Sequence, residues 1–237
     1  MSENERPTPF GPGFVAAAIV IAAVITCGLI VLLADGSSPT TNLSNPEIKA
    51  PSVTPVATSS RSGCSLPAGD QAVPAAAPAV DGWEVSRRVV VPRSAAFGPG
   101  VVDSDGFRRC FAHSPTGAVF AAYNVLAALG DPTKATATAR KLLLPGPETD
   151  ELLRTTESSS TTSEPTQLAG YRVLAASRDQ VTVTLAVPVE TQYMSLTVTM
   201  VWHDHDWRLQ PPSSGAAIGA PFAQLRNLAD FVKWSGL

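Results

Sequence analysis

An uncharged apolar run near the start of the chain constrains its fold more than any other feature of the sequence. Residues 14–34 read FVAAAIVIAAVITCGLIVLLA and contain no charged side chain. As an α-helix, this run rises about 31 Å, which matches the roughly 30 Å hydrocarbon core of a bilayer. A buried core helix would show a polar face, and the apolar region of a signal peptide is shorter, about 7–15 residues. The sequence therefore predicts a transmembrane helix at 14–34, with cleavage near Ala34 as the alternative.

The charges on either side of this run predict its orientation. Residues 1–13 carry Arg6 and the α-amino group, whereas no Lys or Arg follows the run until Lys49. Because basic residues favour the cytoplasmic side of a membrane, we expect residues 1–13 to form a cytoplasmic N-terminus. The chain would then be a single-pass protein of the cell membrane. Its partner through residues 14–34 would be the lipid bilayer, and its C-terminal domain would be extracellular.

The composition changes after the apolar run. Residues 35–80 contain seven Pro and only five charged residues, with no helical or strand periodicity. A segment of this kind cannot bury a core, so it is predicted to be a disordered linker rich in Pro, Ser, Thr and Ala. The extracytoplasmic domain is predicted at 81–237, where 14 basic and 15 acidic residues leave a net charge of -1. This near-neutral balance argues against a nucleic-acid partner.

The pattern of elements within the domain predicts an α+β fold. Two helices are expected to begin at Ser114-Pro115 and Asp131-Pro132, where a capping side chain precedes a proline, and a third begins near Pro147. Alternating apolar residues then predict strands at 169–177, 181–189 and 194–202. Helices followed by consecutive antiparallel strands favour helices packed on a curved antiparallel sheet. An apolar series at helical spacing ends the chain: Phe222, Leu225, Leu228, Phe231 and Trp234.

Several stretches carry a resemblance to known proteins. VPRSAAFGP (91–99), RRCFAHSPTGAVFAAYN (108–124) and LADFVKWSGL (228–237) are similar to an actinobacterial family of single-pass membrane proteins of unknown function. The element order, ending in WHDHDWRL (202–209), resembles the cone-shaped nuclear transport factor 2-like superfamily. That superfamily includes membrane-anchored assembly factors of conjugative and type IV secretion machines. The resemblance implies a non-catalytic assembly role and supplies no catalytic residues.

Cys64 and Cys110 are the candidate site residues, because they are the only cysteines outside the apolar run. In an oxidising exterior an even pair in one domain commonly forms a bridge. A disulfide between them would join the end of the linker to the domain and contribute roughly 2–4 kcal/mol. Two free thiols are the alternative, with Cys110 as a small core residue.

Other chemistry-bearing residues favour structural roles. The run His203-Asp204-His205-Asp206 contains residue types that bind metals. A hairpin tip between Trp202 and Trp207 would, however, leave these side chains solvated. His113 is expected at the surface or in support of the helix cap, and Gly117 is expected to let a neighbouring segment approach the helix. We therefore predict no catalytic residue, no metal site and no cofactor.

These observations lead to one functional hypothesis and one alternative. The hypothesis is a membrane-anchored extracytoplasmic interaction or assembly protein, not an enzyme, with protein partners in a membrane complex such as a conjugative transfer or secretion apparatus. The alternative is a small-molecule-binding protein or isomerase-like enzyme that uses the pocket of a cone-shaped fold. Such chemistry would need an acid or base that points into a cavity.

Overall fold

The computed structural model of the protein describes residues 64, 66–155, 166–213 and 216–236. The predicted cytoplasmic N-terminus at 1–13, the predicted membrane span at 14–34 and residues 35–63 of the predicted linker lie outside these residues. Within the described ranges, no helix combines the length and the apolar character that crossing a bilayer requires.

Three α-helices lie in the middle of the described chain, with strands on both sides of them in sequence. The helices are α1 (Pro115–Leu129), α2 (Ala135–Leu142) and α3 (Pro147–Thr155), and a 3-10 turn at Pro132–Lys134 precedes α2. The strands before the helices are β1 (Gly82–Ser86), β2 (Val89–Arg93), β3 (Val101–Val102) and β4 (Arg108–Arg109). The strands after them are β5 (Thr166–Gln167), β6 (Gly170–Ala176), β7 (Gln180–Val189), β8 (Gln192–His203), β9 (Asp206–Leu209), β10 (Ala223–Leu225) and β11 (Val232–Lys233).

The largest sheet is antiparallel and contains the strands predicted from alternation. Its order is β10-β8-β7-β6-β11, and β9 pairs with β8 beyond the end of β10. The β7–β8 register places Val183 opposite Val198 and Leu185 opposite Leu196. Val183 and Leu185 are fully buried and belong to the main core of the domain. The sheet does not close into a barrel. The predicted α+β class, with helices on an antiparallel sheet, is confirmed.

Helix α1 is the centre of the core. It begins where the sequence predicts, because the Ser114 Oγ accepts the Gly117 N–H at 3.1 Å and Pro115 occupies the first turn. Each residue from Pro115 to Val125 is buried, so this part of the helix has no exposed face. A helix that is buried all round needs cover on every side. The large sheet contacts it on one side, and β2 contacts it on another, where Val89 and Val91 pack against Ala127.

The prediction that helices come first in the domain is wrong, because four strands precede α1. β1 and β2 form an antiparallel hairpin, and β5 adds to β2 in parallel. The hairpin turns at Arg87 and Arg88, which have φ angles of 50° and 80°. Two-residue turns with positive φ usually use Gly, Asn or Asp, so two arginines give no turn signal. β2 is also a run of three valines without alternation, which hides its strand character.

Ion pairs fix the tip of this hairpin and the β3–β4 ribbon to the helical part of the domain. Arg87 bonds Asp131 at 2.7 Å, between α1 and α2. Arg109 makes two bonds to Asp103, at 2.6 and 3.0 Å, and Lys141 bonds the same carboxylate at 3.2 Å. The hydrogen bond from Arg109 lowers the pKa of Asp103 more than any other contact, and burial opposes it. These ion pairs therefore hold Asp103 in its charged form.

The lowered pKa of Asp103 predicts a loss of stability in acid. A carboxyl whose pKa falls on folding adds stability above its unfolded pKa, near 4, and loses that contribution as the pH falls through its folded pKa. At pH 7, Asp103→Asn should therefore lower the free energy of unfolding by about 1 kcal/mol. The difference from the wild type should shrink between pH 4 and pH 2. Urea unfolding across this range checks it, with the exposed Asp230→Asn as control; a pH-independent difference would contradict it.

The C-terminal apolar series does not lie on a helix, although its spacing is helical. Residues 223–225 form β10 at the end of β8, and residues 232–233 form β11 at the edge of β6. Leu228 and Phe231, between these strands, cover Ala186 on the outer face of the sheet. Trp234 lies in the main core instead. Side chains at helical spacing thus cover two different faces, because the segment wraps around the sheet edge.

Candidate functional site

The chemistry-bearing residues meet at the connection between Cys110 and Ser114, which leads from β4 into α1. Asp206, at the start of β9, accepts the backbone N–H groups of Cys110 at 2.7 Å and Phe111 at 3.0 Å. It also accepts the N–H of Trp207 at 2.9 Å. Both carboxylate oxygens are therefore occupied by backbone donors. Burial raises the pKa of Asp206, and the three N–H donors act against that rise.

His113 is half-buried and stacks on an aromatic ring, directly before the helix cap at Ser114, so of the two predicted roles it fits support of the cap rather than a free surface position. Its imidazole stacks on the indole of Trp202 with ring centroids 3.9 Å apart and nearly parallel planes. Its Nε2 is 2.8 Å from the Asp179 Oδ1, in the turn between β6 and β7. The Trp207 Nε1 donates to the carbonyl of Ala112 at 2.8 Å. These contacts join three separate elements at one point, where His113 directly precedes the helix cap.

Cys64 and Cys110 are joined as a disulfide in the structure, with their Cα atoms 5.0 Å apart. Cys110 is buried and has a φ of 69°, in the left-handed region that residues with a side chain rarely adopt. Its backbone N–H is one of the two on this connection that Asp206 holds. The disulfide therefore joins a residue within the predicted linker to the residue at the start of the connection into α1.

Two glycines allow this connection to pack closely. A Cβ on Gly117 would overlap the carbonyl of Ala112, and a Cβ on Gly98 would lie 2.7 Å from the carbonyl oxygen of Cys110. The prediction that Gly117 admits a neighbouring segment is confirmed, and that segment is the connection itself.

The hairpin tip differs from the predicted four-residue turn. His203 pairs with Asp206, so only Asp204 and His205 form the turn, with φ angles of 49° and 63°. His203 and His205 are exposed, whereas Asp206 is turned inward and buried. The expectation that all four side chains are solvated is therefore wrong for Asp206. Among the described residues, no group of three or more His, Cys, Asp or Glu side chains could hold a metal ion.

One groove of about 320 Å³ lies beside β8. Its wall includes Thr197 and Thr199 on β8 and the segments 210–213 and 217–220 that follow β9. No side chain of this lining is an acid, a base or a thiol. The groove offers hydroxyl, amide and backbone groups for binding, but no proton donor or acceptor of the kind that isomerase chemistry uses.

The chain belongs to the family described as a domain of unknown function (DUF8175), whose model matches residues 44–233. The coarser part of the predicted resemblance, membership of a family of unknown function, is thereby confirmed. The matched range begins before Cys64, so it includes the disulfide as well as the helices and the large sheet. Neither the curated proteins nor the solved structures provide a significant match to the chain.

Asp206 is the central residue that the sequence interpretation missed. Its backbone donors on Cys110 and Phe111 lie 96 and 95 positions away in the chain. A side chain whose partners are backbone groups leaves no complementary residue type to recognise. Alternation along β9 gives no signal either, because it groups Asp206 with Arg208 and away from the buried Trp207 and Leu209.

Proposed function

We propose that this protein is a membrane-anchored extracytoplasmic interaction protein that contributes to a membrane complex and performs no catalysis. The observation that carries the proposal is the disulfide that attaches Cys64, within the predicted linker, to Cys110 in the core. This bond fixes the position on the domain surface from which the tether leaves. We further propose an actinobacterial origin, from the resemblance of residues 91–99, 108–124 and 228–237, and a nuclear transport factor 2-like relationship, from the element order that ends at residues 202–209.

The side chains around the connection into α1 that could carry chemistry have partners within the domain, and this supports the proposed role. Asp206 is occupied by backbone donors, His113 by the indole of Trp202 and the carboxylate of Asp179, and Cys110 by Cys64. Each of these groups stabilises the connection into α1 and faces other parts of the domain. A binding surface has no need of a free acid, base or thiol, so this arrangement suits a domain that acts through contact.

Apolar side chains at the surface give the proposal candidate contact points. Val101 and Val102, on the short β3–β4 ribbon, are 42% and 56% exposed, and Val85 on the edge strand β1 is 69% exposed. The domain is also nearly neutral, so association would depend on shape and apolar contact more than on charge. The partners we propose are envelope components of a conjugative transfer or secretion apparatus.

Limited proteolysis of intact cells tests the tether and its orientation. Lys49 and Arg61 offer trypsin two sites between the predicted span and the disulfide. Trypsin added outside should release a fragment that begins after one of them and still contains the Cys64–Cys110 pair. A chain with Lys49→Gln and Arg61→Gln is the matched control and should remain attached to the membrane. Protection of the wild-type fragment until the cells are lysed would contradict the proposed orientation.

A transfer assay tests the biological role. Removing the chain from its natural host should lower the frequency of conjugative transfer or of secretion, and the wild-type chain should restore it. Val101→Asp with Val102→Asp should fail to restore it although the protein is present in the membrane, whereas Ser104→Asp on the same ribbon should restore it. Normal transfer without the chain would contradict the assembly role.

A further inference from the structure

Residues 71–80, QAVPAAAPAV, lie against the domain although the sequence places them in the linker. We call this segment the strap. It forms no helix or strand, and Ala75, Ala76 and Ala77 are exposed. Pro74 and Pro78 are half-buried, and Val80 packs against the main core. The strap is therefore held at two prolines and at its C-terminal end, while the alanines between the prolines face outward.

Two aromatic side chains of the domain donate hydrogen bonds to the strap's backbone. The Tyr171 hydroxyl donates to the carbonyl of Ala76 at 3.1 Å and is 3.5 Å from the carbonyl of Pro74. The Trp234 Nε1 donates to the carbonyl of Pro78 at 3.1 Å. The strap thus supplies carbonyl oxygens at every second residue, and the domain supplies the donors.

The donors belong to a rigid aromatic cluster. The ring of Trp234 has edge contacts with Tyr171 at 5.6 Å and with Trp83 at 5.3 Å between centroids. The Tyr123 hydroxyl donates to the carbonyl of Trp234 at 3.2 Å and fixes its backbone. Tyr171 and Trp234 are buried, at 0% and 5% exposure with the strap in place. The two donors therefore stand at fixed positions beneath the strap.

This arrangement has the chemistry of a site for proline-containing extended peptides. Proline fixes its own φ and restricts the residue before it to extended conformations, which here restrains Val73-Pro74 and Ala77-Pro78. Peptides of this kind leave their carbonyls free, and aromatic grooves bind them through Tyr and Trp donors and packing against proline. Because the alanine side chains are exposed and contribute only a backbone carbonyl, the fit depends on the two prolines and the spacing of the carbonyls.

We propose that Tyr171 and Trp234 form a binding site for a proline-containing extended segment, which residues 74–78 fill in cis and the same segment of a second copy of this chain fills in trans. A second copy presents the same prolines and carbonyls, so each contact can form between two chains as it does within one. The Cys64–Cys110 bond holds the N-terminal side of the strap and favours the occupant in cis. This inference depends on the strap contacts and on neither the membrane tether nor the assembly role.

A full chain whose own strap is released from Tyr171 and Trp234 tests the site directly. Cys64→Ser, Pro74→Asp and Pro78→Asp together remove the disulfide and both proline anchors. The probe is a labelled, capped decapeptide with the sequence of residues 71–80, and its fluorescence anisotropy reports binding to the chain in detergent. We expect saturable binding. Adding Tyr171→Phe, which removes only the hydroxyl, should raise the dissociation constant about fivefold, the effect of one neutral hydrogen bond.

Two control peptides separate this site from nonspecific adsorption. A decapeptide with glycine in place of both prolines should bind several-fold more weakly, because it loses the extended conformation before binding. A polyproline decamer that binds as tightly as the strap sequence would overturn the assignment to a second copy. Equal affinity with and without the Tyr171→Phe substitution, or no saturable binding to a folded chain, would overturn the site itself.

The wild-type chain provides a second arm that does not depend on the folding of the triple variant. The labelled strap peptide should bind the reduced wild-type chain, which raises the anisotropy of the peptide's fluorescence. The oxidised chain should bind the same peptide much more weakly, because the disulfide holds the chain's own strap in place. No binding after reduction would overturn the site, and equal binding in both states would overturn the role of the disulfide.

Discussion

Replacing Asp206 with Asn should lower the free energy of unfolding by about 3 kcal/mol, a large share of the stability of one domain. Asn keeps the shape of the side chain but offers one acceptor oxygen to the N–H groups of Cys110, Phe111 and Trp207. Its amide nitrogen would face a donor, which leaves a buried N–H without a partner. The connection into α1 would then lose the group that holds its left-handed residue.

Asp204→Asn is the matched control for this prediction. Asp204 is in the same hairpin, is exposed and has a φ of 49°, a conformation that Asn adopts readily. It should change the free energy of unfolding by less than about 0.5 kcal/mol. Urea unfolding of both oxidised variants measures the difference. A stability of Asp206→Asn within about 1 kcal/mol of the wild type would show that the three backbone hydrogen bonds contribute little beyond the desolvation of the carboxylate.

Local signals in the sequence predicted the elements whose chemistry is local. Ser114-Pro115 carries a cap and a first-turn proline within two residues, and α1 begins there. The alternation at 181–189 and 194–202 is long enough to set both the strands and their buried faces. These features depend on neighbours in the chain, so a single sequence contains the information.

The features that the sequence did not reveal depend on distant partners. Helix α1 is buried on all sides and needs a second element packed against it besides the large sheet. Nothing in Val89-Val90-Val91 identifies β2 as that element. Asp206 is held by backbone N–H groups, and the strap is held through its own backbone carbonyls. Nearly every residue carries such groups, so they give no sequence signal. The C-terminal segment follows the sheet edge and covers two faces, so its helical spacing does not correspond to a helix. Contacts of this kind leave no periodic pattern in the sequence.

Replacing Gly117 with Ala should destabilise the domain by about 3 kcal/mol, although Ala favours a helix over Gly by about 1 kcal/mol. The added Cβ would overlap the carbonyl of Ala112, whose oxygen accepts both the Ser114 N–H and the Trp207 Nε1. The backbone must move to relieve the overlap, and movement there disturbs the helix cap. The cost therefore exceeds the gain in helix propensity.

A second glycine separates this packing effect from a general effect of removing glycine. A Cβ on Gly146, which precedes α3, would meet only the Glu148 carboxylate at an ordinary 3.5 Å. Gly146→Ala should be neutral or stabilise the domain by a few tenths of a kcal/mol, because it restricts the unfolded chain. Thermal unfolding of both variants compares them directly. If Gly117→Ala melted at the temperature of Gly146→Ala, the connection would not be packed against α1 as the structure has it, and the position of Cys110, His113 and Asp206 around that connection would lose its support.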